Sequence, residues 1–248
     1  MPADTGAMGT EIPPRPIIAV IVALAAERIC VQAGLDKDCA ANVVLRQSGP
    51  GPDRAARAAR AIVRSGAAAL VSLGVAGGLE PRLEPGTVVV PSRIILPTGE
   101  TISTDPGWRA RIIAAMPPEL ATDEGALLAT DTVLETPGLK AAAADTTGAV
   151  AVDMESGAIA AVAAQAGLPA VAIRVIADGA ADTLPPRVDR WIDANGRRRL
   201  APIFTAVVKP GQWPRLAMLA QRQRVAQHAL TTLTHRFAPT SFEFAPRL

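Results

Sequence analysis

A chain of 248 residues can bury a substantial core, and its 49% hydrophobic and 19% charged content is that of a globular protein, not a disordered one. The net charge of +2 is unevenly spread: residues 185–248 hold eleven Lys and Arg against three Asp and Glu, while the preceding 184 hold fourteen against twenty. A basic tail on an acidic body suits an anionic surface or the body itself, and with 3% aromatic residues and no Tyr a stacking platform for nucleic acid is not expected.

In chain order, residues 1–16 are rich in Gly and Pro and lack a basic region followed by an apolar stretch, so they read as a disordered leader and not a secretory signal. Ile17 to Ala23 is an apolar strand, followed by Glu27 in the first turn of a helix, where a carboxylate ordinarily serves the helix dipole. Cys30 and Cys39 cannot form a disulfide framework and lack zinc-site spacing, which points to a reducing compartment and no metal centre. Asp53 to Ser65 is helical and stops at Gly66.

The next strand, Ala69 to Leu73, runs into Gly74-Val-Ala-Gly-Gly-Leu79, read as a glycine-rich turn whose backbone N–H groups can approach an anion or a polarised water. A third strand is expected over Gly86 to Leu96. Val152-Asp-Met-Glu-Ser156 opens an Ala-rich helix that ends at Gly167 before Pro169; its acidic residues read either as ordinary caps or as a ligand-facing Met154 and Glu155. The fourth strand, Ala170 to Ile176, carries Arg174 and places Asp178 just past its end, where partial desolvation raises a carboxyl pKa and suits it to proton donation.

After Pro185-Pro186 the texture changes to Trp191, the turn Asn195-Gly196, Arg197-Arg198-Arg199 and Pro210-Gly211, then helical spacing from Trp213 to Leu233. The longest apolar runs are too short or too interrupted to span a bilayer. His228 and His235, the two histidines, lie in the tail, so acid-base work in the body falls to carboxylates. Strands alternating with helices predict an α/β protein with a largely parallel, mixed and twisted sheet between two helical layers.

The ordered set Glu27, Gly74 to Leu79, Met154-Glu155 and Asp178 resembles the superfamily of purine nucleoside phosphorylases and bacterial methylthioadenosine/S-adenosylhomocysteine nucleosidases, over about Ile17 to Asp182. The resemblance implies a nucleoside phosphorylase-like core over 17–184; the charge balance makes 185–248 a basic extension, expected to pack on it. It further implies that Asp178 protonates the purine, Glu27 activates the nucleophile with Arg174 as ion-pair partner, and Met154 and Glu155 hold the ribose. Val133, Leu134, Val152 and Ala177 would face the base, and Gly74, Ala76, Gly77 and Gly78 would leave room for the nucleophile. Val133 stands where those nucleosidases stack a Phe on the purine, and Val75 where they carry a Ser.

Leu184-Pro-Pro, Trp191-Ile-Asp-Ala-Asn-Gly and Lys209-Pro-Gly-Gln-Trp-Pro-Arg-Leu look like the hopanoid-biosynthesis-associated branch, whose members remove adenine from adenosylhopane. The expected activity is therefore release of adenine from a 5′-substituted nucleoside, by water in preference to phosphate. No cofactor is expected, inorganic phosphate being a co-substrate only if cleavage is phosphorolytic. Methylthioadenosine/S-adenosylhomocysteine cleavage and a non-catalytic nucleoside-binding protein are the competing readings. A cytoplasmic homodimer is expected, touching the inner membrane face through its basic tail and binding no nucleic acid.

Overall fold

The computed structural model describes residues 16–35, 42–185, 193, 195–197 and 213–236. The expected leader up to residue 15, Cys39, Trp191, Arg198-Arg199 and Pro210-Gly211 lie outside these residues.

The chain runs β1 (Ile17–Val22), α1 (Ala25–Gly34), β2 (Val43–Gln47), α2 (Pro52–Arg64), β3 (Ala67–Gly78), β4 (Val88–Val89), β5 (Arg93–Ile95) and β6 (Thr101–Ser103). It continues with α3 (Pro106–Ala114), β7 (Thr122–Asp123), β8 (Ala126–Ala129), α4 (Pro137–Thr147), β9 (Ala149–Asp153), α5 (Ser156–Gln165), β10 (Ala170–Asp178) and α6 (Trp213–Arg236). Among the described residues ten strands form one sheet in the order β6-β5-β8-β9-β3-β10-β4-β7, with β1 joined to β3 and β2 to β1. The pairs β1–β2, β1–β3, β3–β10, β4–β7, β5–β8 and β8–β9 are parallel, whereas β4–β10, β3–β9 and β5–β6 are antiparallel. This is the mixed, mostly parallel sheet expected of strands that alternate with helices.

Side chains from successive sheet positions go to opposite faces. Ile18, Val20 and Val22 of β1 join Val71 and Leu73 of β3 and Ile173 and Val175 of β10 on one face, which is covered by Val31 of α1, Trp108 and Ile112 of α3, and Ala226, Leu230 and Leu233 of α6. Ala19, Ile21 and Leu70 face the other way, onto Ala55 and Ala59 of α2 and Ile159, Val162 and Ala163 of α5. Basic helix α6 is thus a wall of the main core: Leu230 and Leu233 are fully buried, each worth roughly 1.5–3 kcal/mol of transfer free energy.

Three local expectations change. Gly74 to Gly78 form no turn; β3 continues to Gly78, and none of Gly74, Gly77 and Gly78 has a left-handed backbone. Here glycine answers close approach of neighbours, not a reversal of the chain. The run Gly86 to Leu96 is two short strands, broken where Pro91 removes a ladder donor. Asp178 is the last residue of β10 itself, set by a register shift after Ile176. No helix among the described residues is long and apolar enough to cross a membrane.

Candidate active site

The site grows from a gap beside β3. Up to Ser72 this strand is flanked by β1, whose Ile21 pairs with Ser72; from Gly77 it is flanked by β9, whose Val152 and Ala151 pair with Gly77 and Gly78. Between the two, the backbone N–H of Val75 has no strand partner, and the carboxylate of Glu27 takes that place: Val75 N donates to Glu27 Oε1 (2.9 Å). Glu27 Oε2 accepts from Ala23 N (2.9 Å) and Leu24 N (2.8 Å). The ordinary helix-start role of such a Glu is therefore present here, in a carboxylate that also lines a cavity. Burial pushes its pKa up, against Arg174 and the three backbone donors.

Behind Gly74 lies Arg174, 1% exposed, and a Cβ on Gly74 would collide with its guanidinium and stand 2.5 Å from Glu27 Oε1. Arg174 donates to Ser72 Oγ (2.6 Å) and to Ser156 Oγ (Nε 3.1 Å, Nη2 2.9 Å). Its ion pair is with Asp153 Oδ2 at 2.7 Å. Glu27 feels Arg174 through space, but the direct partner is Asp153, which corrects the expected pairing. The reason is the helix α5 entrance, where Asp153 Oδ2 also accepts from Ser156 N (3.0 Å) and so is fixed beside the guanidinium.

The capping function at this entrance thus belongs to Asp153, and Glu155, the residue preceding α5, makes no cap bond. Its Oε1 instead accepts from Gly51 N in the cavity wall (2.7 Å), on a loop where Gly51 has φ 95° and introduces α2 with Pro52 at its first turn. Burial and the neighbouring Asp153 push Glu155 up to about 7, against Arg174. Near neutrality its carboxyl can thus both accept and donate, which suits a pair of hydroxyl groups.

At the other end Asp178 lies against Gly77, where an added Cβ would stand 3.1 Å from its Oδ2. Lys140 Nζ donates to that oxygen (2.5 Å) and to Gly179 O (2.6 Å). Burial raises the Asp178 pKa, and Lys140 followed by Arg222 opposes it; burial is the larger effect.

A cavity of about 620 Å³ joins the two ends. Of the expected residues, Glu27, Ala76, Gly77, Met154, Glu155 and Asp178 line it, as do Val133, Leu134, Val152 and Ala177. Gly74, Gly78 and Arg174 stand behind its wall. Lys140, Asp153, Arg54, Leu184, Asp193 and Gln223 line it without having been anticipated. Lys140 had a signal, being one of three lysines in the chain and placed in the first turn of a helix, where a cation opposes the dipole. Gln223 had none, since α6 reaches the cavity only through the tertiary fold.

The arrangement offers a desolvated acid beside a cation at one end, a carboxylate cluster at the other, and an apolar lining that includes Val133, Leu134, Val152 and Met154. An electron-withdrawing heterocycle can be protonated at the first, and hydroxyls and a water can be held at the second.

The structure is similar to the 5′-methylthioadenosine/S-adenosylhomocysteine nucleosidase of Neisseria meningitidis in complex with methylthio-immucillin-A (20% identity, TM-score 0.66, covering 88% of this chain and 97% of that one). It is equally similar to the futalosine hydrolase of Helicobacter pylori (17%, 0.66, 89% and 97%) and close to the nucleosidase of S. pneumoniae (19%, 0.64, 89% and 99%). At these identities the likeness is one of fold. Among curated proteins no sequence matches the chain. The family model described as Phosphorylase superfamily matches residues 39–209, more than half of the chain and most of the strands that build the cavity, and the chain belongs to that superfamily.

Proposed function

We propose that the protein cleaves the N-glycosidic bond of a 5′-substituted adenine nucleoside, with water as nucleophile. The observation that carries this reading is the shared cavity, lined by Asp178 beside Gly77 at one end, by Glu27 and Glu155 at the other, and by Met154. In the proposed reaction the C–N bond to the base breaks with its electron pair leaving on adenine. Asp178 gives the base a proton, Glu155 holds the ribose hydroxyls with Met154 beneath the ring, and Glu27 orients water and takes its proton as the new C–O bond forms.

Two observations bear on the nucleophile. Glu27, Asp153 and Glu155 line the cavity, while Arg174 is already paired with Asp153 and Lys140 with Asp178, so neither of these cations is free to cradle a phosphate. Arg54 favours phosphorolysis instead: it lines the cavity, bonds Pro50 O (3.0 Å), and has no carboxylate partner among the described residues. Adenine release measured in phosphate-free buffer and in added inorganic phosphate separates the two. We expect equal rates, and strict phosphate dependence overturns the hydrolytic step.

For the 5′ group, adenosylhopane is our first choice and methylthioadenosine the second. The tail motifs support the former; so does Val133 in place of a stacking ring, since weaker grip on the base, by roughly 0.5–1.5 kcal/mol, is offset by burial of a large apolar substituent at roughly 25 cal/mol per Å². Leu24, Pro50 and Pro52 provide an apolar stretch of wall beside Glu155. The fold of the similar nucleosidases supports the second. Comparing turnover of the two nucleosides decides. A lipid-linked substrate also calls for surface attachment, for which the basic extension is our candidate; the protein is expected to sediment with anionic vesicles at low salt, and its absence from that pellet removes the idea.

A further inference from the structure

Two cations meet around Asp178 and are left without a part in the reaction above. Lys140, 1% exposed, reaches from α4 to Asp178 Oδ2 and to the carbonyl of Gly179. On its other side Gly179 donates its N–H to Asp182 Oδ2 (2.8 Å), and that same oxygen is ion-paired with Arg222 of α6. Asp182 is 4% exposed, so this is a buried acceptor and not a surface pair. The contacts form an unbroken line, Arg222 to Asp182 to Gly179 to Lys140 to Asp178, in which Gly179 is gripped at both its N–H and its C=O.

The neighbourhood gives this line a purpose beyond packing. Helix α6 is already anchored one turn later by Ala226, and then by Leu230 and Leu233, so the helix does not need Arg222 to stay on the sheet. Gln223, the next residue, lines the cavity, and the segment before the helix touches the opposite rim: Ala25 N donates to Gly196 O (3.1 Å) at the start of the helix that carries Glu27. The C-terminal part of the chain therefore borders both chemical ends of the cavity.

We propose that Lys140 and Arg222 are positioning residues for Asp178: Arg222, through Asp182, fixes the Gly179 backbone that seats Lys140, and Lys140 holds Asp178 Oδ2 so that Oδ1 meets the base. The proposal rests on the reading of Asp178 as the proton donor. Among the described residues, the charged groups around this carboxyl are Lys140 from α4, Arg222 from α6 and Asp182 from the loop after β10. Both cations oppose the upward pull of burial on Asp178, Lys140 more strongly, so removing either raises its proton affinity further.

The test has two readouts on Arg222→Met, Arg222→Lys and Lys140→Met. In ¹³C-carboxyl NMR, with the Asp178 resonance identified by its loss in Asp178→Asn, the titration midpoint moves up in Arg222→Met, further up in Lys140→Met, and returns toward wild type in Arg222→Lys. In adenine release from 5′-methylthioadenosine or adenosylhopane, whichever the wild type cleaves, Arg222→Met lowers kcat by about tenfold or more with KM changed by less than about threefold, and Lys restores most of the loss. An Asp178 titration unmoved in an Arg222→Met protein that still melts cooperatively overturns the proposal, whatever happens to turnover; should Met prevent folding, an Arg222→Lys protein with an unmoved titration and an unrestored kcat does the same. If the titration moves as expected while the wild type releases no adenine, the support of Asp178 stands and the functional reading falls.

Discussion

Asp178→Asn is expected to lower kcat for adenine release by about 10²- to 10⁴-fold, the range that a positioned general acid contributes, while leaving affinity for adenine within about tenfold. The substitution is well suited to the question because Asn retains an oxygen for Lys140 Nζ and a similar volume against Gly77. What it cannot do is release a proton to the leaving base. Binding by isothermal calorimetry and turnover by adenine absorbance, measured on the same preparation, separate the two effects. A non-catalytic nucleoside-binding protein predicts no difference in any base-release signal, and a kcat within threefold of wild type would falsify the acid role. The rate should also fall on the alkaline side as Asp178 loses its proton, since burial holds that proton above the ordinary carboxyl range.

The second large effect concerns stability. Arg174→Met leaves Asp153 as a buried carboxylate without its ion pair and takes donors from Ser72 and Ser156, a change expected to cost about 3–5 kcal/mol. For a chain of this size that corresponds to a fall in Tm on the order of 10 °C. The sign of its pH dependence follows from Glu27 and Glu155, both already raised in the folded protein and both held down in part by Arg174. A carboxyl raised on folding binds more protons folded than unfolded, so its stability contribution is complete below the unfolded pKa and is lost as pH rises through the folded value. For Glu155 that window runs from its ordinary 4.5 to about 7. Without Arg174 both groups go higher, so the deficit against wild type grows between pH 5 and pH 8. Thermal unfolding at these two pH values checks it, and a deficit that shrinks with rising pH contradicts the charge assignment.

Several features were open to reading from local pattern alone, because their causes are local. Continuous β-branched runs produced β1, the first half of β3 and β10, and the Gly-Pro entry and Gly exit bounded α2. The short strands β2 and β6 to β9 escaped, and β4 and β5 were read as one strand, because two to five residues carry too little periodicity to stand out. Gly74 to Gly78 misled for a definite reason: a glycine needed for a turn and a glycine needed for close approach look alike in sequence, and only the positions of Glu27, Arg174 and Asp178 show that these are the second kind.

The amino-acid order by itself determined the acidic body and basic tail, the α/β class and the succession Glu27, Met154-Glu155, Asp178, since composition, periodicity and motif order are properties of the chain read in one dimension. Only the folded protein decided which charges share a site. Arg174 pairs with Asp153 and not with Glu27, Glu155 turns from α5 to Gly51, Lys140 takes Asp178, and Arg222 of the tail reaches Asp182. The physical reason is that a buried charge is stabilised by whichever opposite group the packing of distant segments brings within a few ångströms, and sequence separation says nothing about that distance.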